Sequence, residues 1–212
     1  MLFLIQLIAE ERTEVNSLLD ISNFPWAECS PVENRVIYIS DSLSLKRSKR
    51  NTGVVRWEFE LSTIDMKIKV GRGIKAKLSA ASDDTLLFVH PRLSFTQGVE
   101  PAAGIQSTGN NSVGSKTLSF TSAAAWQLMA GDIMQFSNDT KVYECAEDTL
   151  LQVGIQSVTL TNPLRNSVTD GTDVTVNNVA WHLVSDGVID SSPMIASDDQ
   201  DMELTLVAVE KL

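Results

Sequence analysis

The clearest pattern in the chain is Val55-Arg-Trp-Glu-Phe-Glu-Leu61, in which Val55, Trp57, Phe59 and Leu61 alternate with Arg56, Glu58 and Glu60. A period of two is that of an antiparallel strand with one wet face, so all four apolar residues are expected on a single buried face. Residues 35–40 (RVIYIS) are rich in β-branched and aromatic side chains and predict a second strand. Met66, Ile68 and Val70 repeat the alternation until Gly71 and Gly73 interrupt it, so residues 66–78 fit a strand or a short helix. Residues 86–90 (LLFVH), closed by Pro91, form the continuous apolar run expected of a buried strand. Residues 10–21 place Val15, Leu18 and Leu19 at roughly helical spacing, which suits a brief helix or an irregular arm.

The pattern changes after residue 96. Gly98, Gly104, Gly109 and Gly114, with Ser, Thr and Asn between them, read as a loop of turn formers and mark a domain boundary. Short β-type runs follow at 117–121, 132–136, 141–145, 157–161, 173–176 and 179–184, separated by turns at 130–132, 137–139 and 169–172. Six short strands in so short a stretch predict a small barrel or sandwich. Residues 186–200 are polar and read as a loop, and 202–210 (MELTLVAVE) is a long final strand. A final strand needs a sheet, and its most economical partner is the Trp57 strand. The expected fold is therefore mainly β. A β-sandwich-like core domain of residues 1–96 plus 187–212, carrying an N-terminal arm, is interrupted by an inserted barrel-like or sandwich module of residues 97–186.

Composition agrees with a folded globular chain: of 212 residues, 43% are hydrophobic and 21% charged. The net charge of −10 is unevenly spread. Residues 46–77 hold 10 basic and 3 acidic side chains, whereas residues 78–212 hold 5 and 17. That asymmetry predicts a polarised surface with one basic face. Lys46, Arg47, Lys49 and Arg50 read as a charged loop and are the candidate interface residues. Aromatic residues do not interleave with them and the chain is acidic, so stable nucleic-acid binding is not expected. The apolar opening Met1-Leu-Phe-Leu-Ile-Gln-Leu-Ile-Ala9 lacks a basic flank and is under half a membrane span; a buried strand or an arm laid on a neighbour is expected, with no signal peptide or membrane anchor. Cys29 and Cys145 form neither a CxxC element nor a zinc set, and no disulfide is expected.

Residues with catalytic chemistry are sparse. His90 and His182 are the only histidines, and neither sits in a nucleophile elbow, an HExxH element or a Cys–His pattern, so each is expected in a core or interface. Asp198-Asp-Gln-Asp-Met-Glu203 lacks the glycine and register of a calcium loop, and Gly71-Arg-Gly73 lacks a phosphate-loop pattern. No catalytic, cofactor-binding or metal residue is assigned, and no enzyme activity is expected. An alternative to a structural role is a virion-associated carbohydrate-binding module, for which an exposed Trp126 or Trp181 would stack a sugar face.

The segment Ala130-Gly-Asp-Ile-Met-Gln-Phe136, with Lys141-Val-Tyr143, Val158-Thr-Leu-Thr-Asn-Pro-Leu-Arg165 and Asp170-Gly-Thr172, resembles a β-rich module of tailed-bacteriophage tail-tip proteins. The VRWEFEL strand and the LTLVAVEKL terminus are similar to core strands of distal tail proteins. The resemblance covers about residues 53–212 and leaves the N-terminal 50 residues unmatched. It implies a structural virion protein, assembled in the host cytoplasm as a homo-oligomeric, hexameric ring threaded by the DNA channel. The ring would stand between the tail tube and the tail hub or fibre proteins of the baseplate, with the inserted module outside as a docking surface.

Overall fold

The computed structural model describes residues 18–41, 47–81, 85–194 and 201–211. Strands β1 (Leu18–Asp20), β2 (Trp26–Asp41), β3 (Arg47–Thr63) and β4 (Met66–Lys67) lead into helix α1 (Ile68–Ala80) and strand β5 (Thr85–Val89). Six short strands follow: β6 (Ile105–Thr108), β7 (Thr117–Thr121), β8 (Ile133–Phe136), β9 (Val142–Glu144), β10 (Gln156–Thr159) and β11 (Asp173–Thr175). Two long strands, β12 (Ala180–Met194) and β13 (Asp201–Glu210), complete the chain. The protein is mainly β, with two sheets. The first runs β1-β5-β12-β13-β3-β2, with β4 paired to β13; the second runs β10-β7-β6-β11-β8-β9 and is inserted between β5 and β12.

Alternation along the two long strands explains the first sheet. Every second residue of β13 from Met202 is buried, and β13 pairs antiparallel with β3, Thr205 opposite Ser62 and Val209 opposite Glu58. On β3, Val55, Phe59 and Leu61 are buried as the pattern requires. Trp57 is only half-buried, against expectation: it lies at the margin of the core, its ring edge-on to Trp181 at 6.4 Å. Phe59 occupies the centre, 5.1 Å from Trp181 and 5.6 Å from Phe88 in edge-to-face arrangements.

The ambiguous segment after Met66 is helical over Ile68–Ala80, and Gly71 lets it pack closely. A Cβ at Gly71 would stand 2.3 Å from the Met202 sulfur, so the glycine that breaks the strand pattern lets the helix settle on β13. Several other expectations are corrected. The Gly-rich stretch after residue 96 contains β6, because Gly104 and Gly109 take positive φ at its two ends and leave Ile105–Thr108 extended between them. Residues 179–184 belong to the first sheet: Ala180 opens β12, with Trp181 opposite Phe88. The polar stretch that reads as a loop from residue 186 continues β12 to Met194, paired with β13 as far as Asp201; backbone ladders require no apolar side chains.

The second sheet has a core of its own, centred on Phe120, Trp126, Phe136, Tyr143 and Val158. Its junction with the first is shared, because Ile133 and Val142 pack in the cluster of Phe59, Phe88 and Trp181.

Candidate assembly surface

β2 and β3 form a hairpin longer than the sheet that carries it. β3 pairs with β13 only over Glu58–Ser62, but with β2 as far back as Arg47, opposite Asp41. Among the described residues, the part of β3 before Val55 thus has β2 as its single strand partner, and the hairpin leaves the sheet as a two-stranded ribbon. Arg47, Lys49 and Arg50 lie on this ribbon, their backbones opposite Asp41, Ile39 and Tyr38, and not in a loop as the charge run implies. Pairing with residues 38–41 extends the strand through the basic residues. Lys46 lies outside the described residues. The basic block 46–77 does not make one face, because α1 follows the opposite end of β3, roughly 50 Å from Arg47 at 3.3 Å per residue.

Polar contacts hold the base of the ribbon to the second sheet and brace the hairpin itself. The Asn162 side-chain amide donates to Glu33 (2.7 Å), and Arg56 and Asn34 both donate to Glu58 (3.0 Å), holding that carboxyl below its ordinary range. Glu144 is pushed up, by burial first and then by the charge of Glu33. A further joint is buried. Glu210 ends β13 on its inward face and accepts hydrogen bonds from Lys141 Nζ (3.0 Å), the Val142 N–H (2.9 Å) and the Trp57 N–H (3.3 Å). Lys141 Nζ also donates to the Val55 carbonyl (2.8 Å), and the two side chains are 6% and 0% exposed. One ion pair thus ties β3, β13 and the start of β9 together. Strand alternation marks Glu210 as inward-facing, but nothing local marks Lys141 as its partner.

The Gly131-Asp132 turn has an equally local cause. Gly131 takes φ of +91°, and the buried Asp132 carboxylate accepts from the N–H groups of Met129 (2.8 Å) and Gln97 (2.7 Å) and from the Thr96 hydroxyl. The carboxylate thereby fixes the first residues of the insert to the turn before β8.

Each histidine has a structural role or a shallow setting. His90 is buried, and its Nδ1 accepts the N–H groups of Arg92 (3.1 Å) and Leu93 (2.9 Å), which leaves Nε2 to donate to the Cys29 carbonyl (3.3 Å). Burial lowers its pKa, and that neutral tautomer caps the turn after β5. His182 is half-buried, also shifted down by burial and by Lys211, and lines an open groove of about 380 Å³ with Gln135, Asn138 and Thr175. Among the described residues no group of three His, Cys, Asp or Glu side chains is placed to hold a metal, and no helix is long and apolar enough to cross a membrane. Cys29 and Cys145 are free thiols. Trp126 and Trp181 are fully buried, so neither presents the ring face that sugar stacking needs.

No family model and no curated protein matches this chain.

Proposed function

We propose that the chain is a structural subunit of a bacteriophage tail, forming a homo-oligomeric ring at the distal end of the tail tube and docking tip or fibre proteins. In this reading the protein acts by contact and not by catalysis, needs no cofactor and resides in the virion tail. The observation that carries it is the β2–β3 ribbon, which runs past its own sheet and bears Arg47, Lys49 and Arg50. A two-stranded ribbon buries little by itself, and contact with a neighbouring subunit supplies what it lacks. The acidic segment 78–212 supplies the complementary charge. The resemblance of the Ala130–Thr172 segments and of two core strands to distal tail proteins supports the place in the particle. An acidic chain also suits a DNA conduit, which must not hold phosphates.

Replacement of Lys46, Arg47, Lys49 and Arg50 by Glu tests the contact. Sedimentation velocity should show smaller oligomers for the variant at 0.1 M salt, where the Debye length is about 10 Å, and a smaller difference at 1 M, where it is about 3 Å. Identical distributions in all four samples would remove the ribbon's charges from assembly.

A further inference from the structure

The connection between β9 and β10 carries apolar side chains that the fold does not cover. Leu150, Leu151, Val153 and Ile155 fall within six residues and are 58–72% exposed. Strand-like geometry brings Leu151 and Val153 to one side. Trp126 bridges to Gln152 and Gln127 to Val99, so three extended segments lie side by side. Trp126 points into the core, and residues flanking a position in an extended segment point the other way. Leu151 and Val153 therefore share the outer side with Gln127 and Val99, which is itself 42% exposed. Gly98 makes the close approach possible, since a Cβ there would lie 2.1 Å from the Gln127 carbonyl oxygen. Contiguous exposed aliphatic surface of this kind marks an interaction site.

Charge narrows the occupant. Glu147 and Asp148 lead into Leu150, Glu100 follows Val99, and all three are exposed. From residue 93 to residue 164 the only basic side chains are Lys116, which donates to the Thr161 carbonyl, and the buried Lys141. Exposed carboxylates thus flank the aliphatic residues along the chain, with Arg92 and Arg165 just outside this stretch. A matching surface exists elsewhere on the same chain. Lys69, Arg72 and Lys77 are exposed on α1, as is Val70 at 54%, and Ile64, in the connection from β3 to β4, is 52% exposed. One surface is aliphatic with acidic neighbours; the other is aliphatic with basic neighbours.

We infer that the Leu150–Ile155 surface of one copy docks the outer face of helix α1 of a second copy. The contact joins unlike surfaces, so it is heterologous and propagates into a closed ring or a stack of copies. It rests on the proposal that copies associate, but not on the ribbon. The flanking carboxylates oppose binding to an anionic membrane, which leaves a basic protein surface as the better partner.

The test places a photo-crosslinking phenylalanine analogue at Val153 in the full chain and mixes isotopically light and heavy copies. Cross-links from position 153 to residues 64–80 of the oppositely labelled copy are expected. The Leu151→Asp/Val153→Asp double variant and the Lys69→Glu/Arg72→Glu/Lys77→Glu variant should each raise the concentration needed for association at least about tenfold, without loss of the β spectrum. Rings that persist unchanged in both variants, with cross-links only elsewhere, would overturn this contact and leave the ring proposal standing. A wild-type chain that stays monomeric would overturn both. Co-flotation with phosphatidylcholine vesicles, lost in the Leu151→Asp/Val153→Asp variant, would assign the surface to a bilayer and likewise overturn the inference.

Discussion

Glu210→Ala strikes the joint between the two sheets. The substitution leaves the Lys141 ammonium, 6% exposed, with the Val55 carbonyl as its remaining acceptor, and strips the acceptor from the Val142 and Trp57 N–H groups. Breaking a buried ion pair from one side costs about 3–5 kcal/mol, and each stranded buried N–H about 1–3 kcal/mol. These terms overlap, because the site can relax or admit water, so a loss of about 4 kcal/mol is expected. With a urea m-value of about 2 kcal/mol/M, the midpoint would fall by about 2 M. The Lys141→Met/Glu210→Gln double variant should recover most of that loss, because a neutral pair removes the uncompensated charge and retains an acceptor for Val142. The assay is urea unfolding followed by tryptophan fluorescence, which reads Trp126 in one core and Trp181, with Trp26 and Trp57 packed against it, in the other. The two environments should unfold together in the wild type and separate in Glu210→Ala. A loss under about 1 kcal/mol, with one unchanged transition, would mean that the ion pair does not couple the sheets.

Gly98→Ala should destabilise the protein by about 1–3 kcal/mol, because its Cβ would meet backbone, the Gln127 carbonyl, which cannot swing aside as a side chain would; differential scanning calorimetry checks this, and an unchanged melting temperature would refute the close approach. His90 is neutral in the fold and its pKa lies below the ordinary 6.5, so its contribution to stability is fully present above that value and is lost as pH falls below it. Glu144, shifted up, works in the opposite sense at lower pH, so the comparison is made against a His90→Gln variant: the fall in urea midpoint from neutral to mildly acidic pH should be smaller in the variant, and an equal fall would clear His90.

What the sequence reveals depends on how far the cause lies from the residue. The alternation in 55–61 and 202–210 encodes two half-wet strands that pair with each other, while their second neighbours, β2 beside one and β12 beside the other, are not marked by it. The helix is not legible, because the reason for Gly71 is Met202, over a hundred residues away. The continuation of β12 through polar residues is equally hidden, since its stability comes from backbone pairing with β13. At the candidate site, composition singles out Arg47, Lys49 and Arg50 but gives them the wrong local structure. The exposed Leu150, Leu151, Val153 and Ile155 resemble core residues until the fold shows which face of their segment is already occupied. Glu210 lies between these extremes: alternation turns it inward, and an inward carboxylate demands a partner that only the folded chain identifies.

Negative-stain imaging of the purified protein shows whether copies of this chain close into a ring. The proposed ring should appear as closed particles with six-fold class averages around an open channel, and the ribbon and patch variants should fail to close. Uniform single-subunit particles at every protein concentration and salt condition would contradict it.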